Sequence, residues 1–234
     1  MKLRPSLVAF ALSVACSVFA SGQGSVVVAD PTKTEPEAKL SAAEQNVFDK
    51  ALPAVRKKIS SDICEDSVEV AGVVRGAFSR PASQQTLIFY QYCQTGNGLG
   101  WAGIVLIEAG KVVGNFIADA GWTFDAGSLP DINMNGLDEF TLSYGGGMHQ
   151  GQGGVGVDIM EFSAGRPKGI GWFLAEKFTD TETTTVWKVT VKTGKVPIYY
   201  RQKYIALEGG KYRRSGGPLL FKLAKPIGSF EVVK

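Results

Sequence analysis

Residues 131–144 read Asp131-Ile-Asn-Met-Asn-Gly-Leu-Asp-Glu139-Phe-Thr-Leu-Ser-Tyr144. Oxygen-bearing side chains hold the first, third, fifth and ninth places (Asp131, Asn133, Asn135 and Glu139), and Gly136 holds the sixth. One tight loop with that spacing aims several oxygens at a single centre, while the glycine takes a turn conformation that a side chain would forbid. The continuation decides the fold. Glu139-Phe-Thr-Leu-Ser-Tyr144 alternates with the period of a strand. A loop of this kind that runs straight into a strand belongs to a β domain.

Asp-x-Asn-x-Asn-Gly also opens the EF-hand loop. That loop needs an acidic residue at its twelfth place, which here is Leu142, and flanking helices, where here there is a strand. The EF-hand reading fails on both counts. The loop-then-strand order instead resembles the FG-GAP and VCBS-type repeats, which are β-propeller blade units of cell-surface and secreted proteins. Their motif is matched by Asp131, Asn133, Asn135, Gly136 and Glu139, then by Phe140–Tyr144 and Gly145-Gly-Gly147. It occurs once, without the family's Phe-Gly and Gly-Ala-Pro flanks. The resemblance implies a Ca²⁺ site with side-chain ligands Asp131, Asn133, Asn135 and Glu139 and the carbonyl of Leu137, with Asp138 on the outward side of the turn. Hard oxygen donors suit Ca²⁺ better than Zn²⁺ or copper. With two charged ligands, the affinity expected is that of extracellular modules, about 10⁻⁴–10⁻³ M. The competing reading is an Asx-rich turn held by its own side-chain to backbone hydrogen bonds, without metal.

Working outward, the N-terminus reads as an export signal over residues 1–20. Lys2 and Arg4 precede an apolar run, Leu7–Ala20, and Val18-Phe-Ala20 offers small residues for cleavage. The run of about 14 residues is short of the roughly 20 that span a bilayer. Secretion or a periplasmic location is expected. The alternatives are an uncleaved anchor and a lipoprotein anchored at Cys16, but Ser13-Val-Ala-Cys16 lacks the usual leucine. Cleavage takes 20 of the 234 residues, with Lys2 and Arg4, and lowers the formal charge from +3 to +1. Near-neutral balance argues against a nucleic-acid footprint. Arg213 and Arg214 are adjacent on what reads as a hairpin arm and are taken as solvated surface. Cys64 and Cys93 survive cleavage, and in an oxidising compartment an even pair is most simply a disulfide, contributing roughly 3–4 kcal/mol.

Residues 21–40 read as a flexible leader, polar around Val26-Val-Val28. A helical segment follows over 41–62. Ser41-Ala-Ala-Glu44 is a capping-box pattern, and Phe48, Leu52, Val55 and Ile59 form one apolar stripe. Pro53 predicts a kink or two short helices. From 63 to 234 the texture is that of strands, beginning with Ser67–Phe78, Thr86–Cys93 and Gly103–Glu108. Four glycines, Gly110, Gly165, Gly194 and Gly210, each precede a basic residue between apolar arms, a recurring hairpin signal at uneven spacing. The expected fold is mainly β: one antiparallel β domain, propeller-like or sandwich, with a short N-terminal helical segment.

The remaining motifs carry little chemistry. Gly151-Gln-Gly-Gly-Val-Gly156 is a literal GxGxxG, but it opens a strand-like run rather than a helix, so it reads as a mobile or tightly turned loop. His149 is the only histidine, which leaves no zinc triad and no Cys–His pair. Asp119, Asp125, Asp158 and Glu161 are candidates for a glycosidase pair. Trp101, Trp122, Trp172 and Trp187 read as core or half-buried packing, with sugar stacking as the alternative. The function expected is that of an exported binding or structural protein with one calcium loop and a protein or glycan ligand, without nucleic acid and without a membrane span. A carboxylate-dependent polysaccharide hydrolase and a partner-binding subunit of an envelope assembly are the alternatives. An enzyme is the less favoured class, and no catalytic residue is assigned.

Overall fold

The computed structural model describes residues 24–33, 39–59, 67–94, 100–145, 152–179, 184–226 and 229–234. In chain order the elements are β1 (Ser25–Ala29), α1 (Ala42–Lys58), β2 (Val68–Gly76), β3 (Gln85–Tyr92), β4 (Gly100–Glu108), β5 (Lys111–Ala120), β6 (Trp122–Leu129), β7 (Glu139–Gly145), β8 (Gln152–Ser163), β9 (Arg166–Thr179), β10 (Thr185–Lys192), β11 (Ile198–Leu207), β12 (Lys211–Phe221) and β13 (Glu231–Val232). The fold is mainly β and antiparallel, as expected. A five-stranded sheet runs β13-β5-β4-β3-β2, and an eight-stranded sheet runs β12-β11-β10-β9-β8-β7-β6 with β1 on β10.

β3 shows how the layers stack, because every one of its residues is buried. Leu87 and Phe89 join Phe78, Ile104, Phe140, Leu142 and Phe162 in the core between the two sheets. Ile88, Tyr90 and Tyr92 point the other way, onto Phe48, Leu52 and Val55 of α1. Period-2 alternation thus sends one set of side chains to each side of the strand, and both sides are covered. The helix begins at its capping box: the Ser41 side chain accepts from the Glu44 amide and Glu44 reaches back to the Ser41 amide. Pro53 lies inside this one helix rather than between two. Its own face is exposed while Leu52 and Val55 beside it are buried, so packing on the sheet holds the helix together across the missing N–H.

The turn glycines join paired strands in every case. β4–β5 and β8–β9 are closed by Ala109-Gly110 and Ala164-Gly165, with both residues of each pair at positive φ, the geometry that two-residue hairpins favour. Two expectations are corrected. Ser25–Ala29 lies in the stretch read as flexible leader, yet it forms β1, antiparallel to β10. Val28 is buried there with Val189 and Val191, so a single apolar patch finds a partner that local composition cannot reveal. The glycines of 152–156, read as a loop, lie in β8. A Cβ on Gly153 would fall 2.2 Å from the Phe178 ring and one on Gly156 2.4 Å from the Trp172 indole, so these glycines make room for aromatic rings of β9.

A third cluster lies on the far face of the large sheet. It joins Val28, Leu129, Ile132, Val157, Ile159, Phe173, Val189, Val191 and Tyr199. The Asp131–Glu139 loop is seated at this end.

Candidate metal centre

Asp131–Asp138 connects β6 to β7, and Glu139 is the first residue of β7. The loop is fixed to the body at three points. The Ile132 side chain is fully buried in the third cluster. The Gly194 N–H donates to the Ile132 carbonyl at 3.0 Å. Asp138 pairs with Ala77 twice: its N–H donates to the Ala77 carbonyl at 3.1 Å, and its Oδ2 accepts the Ala77 N–H at 2.7 Å. Asp138, expected on the outward side of the turn, is instead half-buried and ties the loop to the end of β2.

Within the loop the short polar side chains turn back on the backbone. Asp131 accepts from the Asn135 N–H at 3.0 Å and the Gly136 N–H at 2.8 Å. Asn133 Oδ1 accepts from the Asn135 N–H at 3.0 Å, and Asn135 Oδ1 from the Leu137 N–H at 2.8 Å. Gly136 has φ +90°, which explains the glycine at the sixth place; nothing crowds it beyond Pro81 at 3.7 Å. These bonds are those of the Asx-turn reading. Each carbonyl or carboxylate oxygen that accepts one N–H still has a lone pair, so the same geometry leaves donors for a cation.

Glu139 is the exceptional group. It is fully buried. Its Oε2 accepts the Ile132 N–H at 2.7 Å, and its Oε1 is buried without a hydrogen-bond partner. Burial, against the pull of the Ile132 N–H and with the charges of Asp131, Glu161 and Asp138, raises its carboxyl to about 7. Burial, reinforced by the Glu139 charge, raises the Tyr199 phenol to about 12. Tyr199 Oη is also buried without a partner. A buried carboxylate oxygen with no donor costs free energy that a cation or a proton would relieve.

Glu161, on β8, was read only as a possible glycosidase carboxylate. Its Oε2 lies 3.1 Å from Asn133 Nδ2 and 3.4 Å from Asn135 Nδ2, on the edge of the loop. The register of β7 on β8, with Phe140 opposite Met160, carries it there. Four acids, Asp131, Asp138, Glu139 and Glu161, therefore stand in or beside the loop, although among the described residues no three Asp, Glu, His or Cys side chains converge as a ready-made metal group. Any cation here would draw on Asp131 and Glu139 together with asparagine oxygens. Leu137 presents its N–H to Asn135.

The other candidates fall elsewhere. Asp119 and Asp158 both line a cleft of about 540 Å³ between the sheets, walled by Tyr144, Met160, Trp172 and Phe230. Asp119 is exposed and Asp158 buried. Asp125 lines a separate hollow of about 910 Å³ with Glu176, whose carboxyl burial raises. All four tryptophans are half-buried, and Trp172 is the one that lines the 540 Å³ cleft. Cys93 is buried and disulfide-bonded. Cys64, its expected partner, and His149 lie outside the described residues, as does the 1–20 segment with Cys16. Among the described residues, no helix is long and apolar enough to cross a membrane. No protein-family model, curated protein or solved structure matches the chain.

Proposed function

We propose that the chain is an exported β-rich binding or structural protein whose Asp131–Glu139 loop holds a calcium ion, with Asp131, Asn133, Asn135, Glu139 and the Leu137 carbonyl as ligands. The observation that carries this reading is the buried Glu139 carboxylate, whose Oε1 has no donor and whose neighbours Asp131 and Glu161 add negative charge. A divalent cation supplies the compensating charge, and the ion then braces β6, β7 and the third hydrophobic cluster against one another. Calorimetry tests it. A ligand that binds only the folded state at ten times its dissociation constant adds about 1.4 kcal/mol. Ca²⁺ is expected to raise the melting temperature of the native chain and not that of Asp131→Ala. An equal response in both would reduce the loop to a turn.

One observation favours a second reading. Asp119 and Asp158 come from different sheets into one cleft beside Trp172, and a polysaccharide hydrolase likewise needs two carboxylates in one cleft. Loss of glycan hydrolysis in Asp158→Asn, with calcium response intact, would select this reading; absence of hydrolysis across a polysaccharide panel would remove it.

A further inference from the structure

The β11–β12 hairpin carries a surface that the calcium reading does not use. β12 is the end strand of its sheet, and every residue from Lys211 to Leu220 is exposed. Across Ile198–Phe221, Arg201, Lys203, Lys211, Arg213 and Arg214 stand against a single acid, Glu208. Among the described residues none of the five is in an ion pair. Near-neutral total charge therefore hides a concentrated basic element, in which Arg213 and Arg214 are exposed on a hairpin arm as their reading as solvated surface expects. On one face of β11, Arg201, Lys203, Ile205 and Leu207 alternate, and Arg213 and Lys211 lie opposite the last two.

The apolar component sits at the free edge. Leu219 and Leu220 are 65% and 68% exposed. They pair with Arg201 and Tyr200, so they project from opposite faces of the same strand. Pro218 just before them has no N–H, and Gly216 at φ +76° disturbs the strand. Together with the basic side chains these features disfavour addition of another strand along this edge. An edge closed to strand pairing, tipped with aliphatic side chains and flanked by cations and by Tyr200, Tyr204 and Tyr212, has the chemistry of a bilayer interface. We propose that this hairpin docks the protein peripherally on a membrane surface rich in anionic phospholipid, edge first, with Leu219 and Leu220 entering the acyl boundary and Arg201, Lys203, Lys211 and Arg213 meeting the phosphates. A nucleic acid would use the same cations but gain little from two aliphatic side chains.

Vesicle co-sedimentation of the full chain, in the form the host yields, tests this. Vesicles of phosphatidylglycerol mixed with phosphatidylcholine should bind it, pure phosphatidylcholine should not, and salt should weaken the binding. Lys203→Gln/Arg213→Gln should lower partition by about 30-fold, and Leu219→Ser/Leu220→Ser by about tenfold or more. All four residues lie on the exposed hairpin, so circular dichroism should show unchanged folding. Equal binding to neutral vesicles, or none to anionic ones, overturns the proposal. So does a leucine variant that keeps full affinity for both anionic vesicles and duplex DNA, which would mark a surface for polyanions in general.

Discussion

At the residue scale, Glu139 separates a metal ligand from a turn residue. Its carboxylate is buried with one oxygen served by Ile132 and the other unserved. Glu139→Gln keeps the shape and removes the charge from a buried side chain whose Oε1 has no donor. The calcium-free variant is therefore expected to melt higher than the native chain at neutral pH, by about 1 kcal/mol, while losing the calcium response. A purely structural Glu139 predicts the same calcium response in both proteins. Asp138→Ala works in the opposite sense. It removes the acceptor for the Ala77 N–H, a charge-assisted bond at 2.7 Å, and should cost about 1–3 kcal/mol in urea denaturation with the calcium shift retained. Loss of the shift in Asp138→Ala would place that carboxylate in the metal set.

At the element scale, one side chain ties the N-terminus of α1 to the small sheet. Glu44 closes the capping box and also meets Arg75 of β2 and Thr86 of β3 at 2.8–3.0 Å. Burial pushes its carboxyl up, but hydrogen bonds from the Ser41 backbone, Thr86, the Ser41 hydroxyl and Arg75 outweigh it and hold it at about 2. Because the folded value lies below the unfolded one, this contribution is present above the ordinary glutamate range and is lost as pH falls toward about 2. Glu44→Gln should flatten that part of the acid-unfolding profile measured by circular dichroism; an unchanged profile would mean that other carboxylates set it. The capping box was legible because its residues are three apart in the chain, and the hairpin turns because a glycine before a basic residue between apolar arms is a local signal. β1 was not legible, since Val26-Val-Val28 becomes a strand only through β10, far along the chain. Glu161 was missed beside the loop for the same reason. Sequence spacing shows what one turn can gather, and only sheet register shows which acid from the next strand arrives there.

At the scale of the whole molecule, the stability of the sandwiched layers depends on how the C-terminal end of β3 is tied. Cys93 ends that strand at φ +54°, buried, with its N–H donating to the Ser67 carbonyl at 3.0 Å, and it is disulfide-bonded. A residue that leaves a strand in the left-handed region is held there by its surroundings, and a covalent link at that point closes the β2–β3 end of the small sheet. If the link runs to Cys64, just before β2, it ties the segment that follows α1 to the strand on which α1 packs. The loop so closed contains β2 and β3, which lose freedom together in the unfolded chain, while α1 lies outside it and packs on β3. Native mass spectrometry after export should find Cys64 joined to Cys93 and an N-terminus near Ser21. Reduction, or Cys93→Ser, should lower stability by about 2–5 kcal/mol, with the fall seen first in the signals of α1 rather than in those of the β11–β12 hairpin. Recovery of both cysteines as free thiols, in a chain that still begins at Met1 and resides in the cytoplasm, would remove the export reading together with the disulfide.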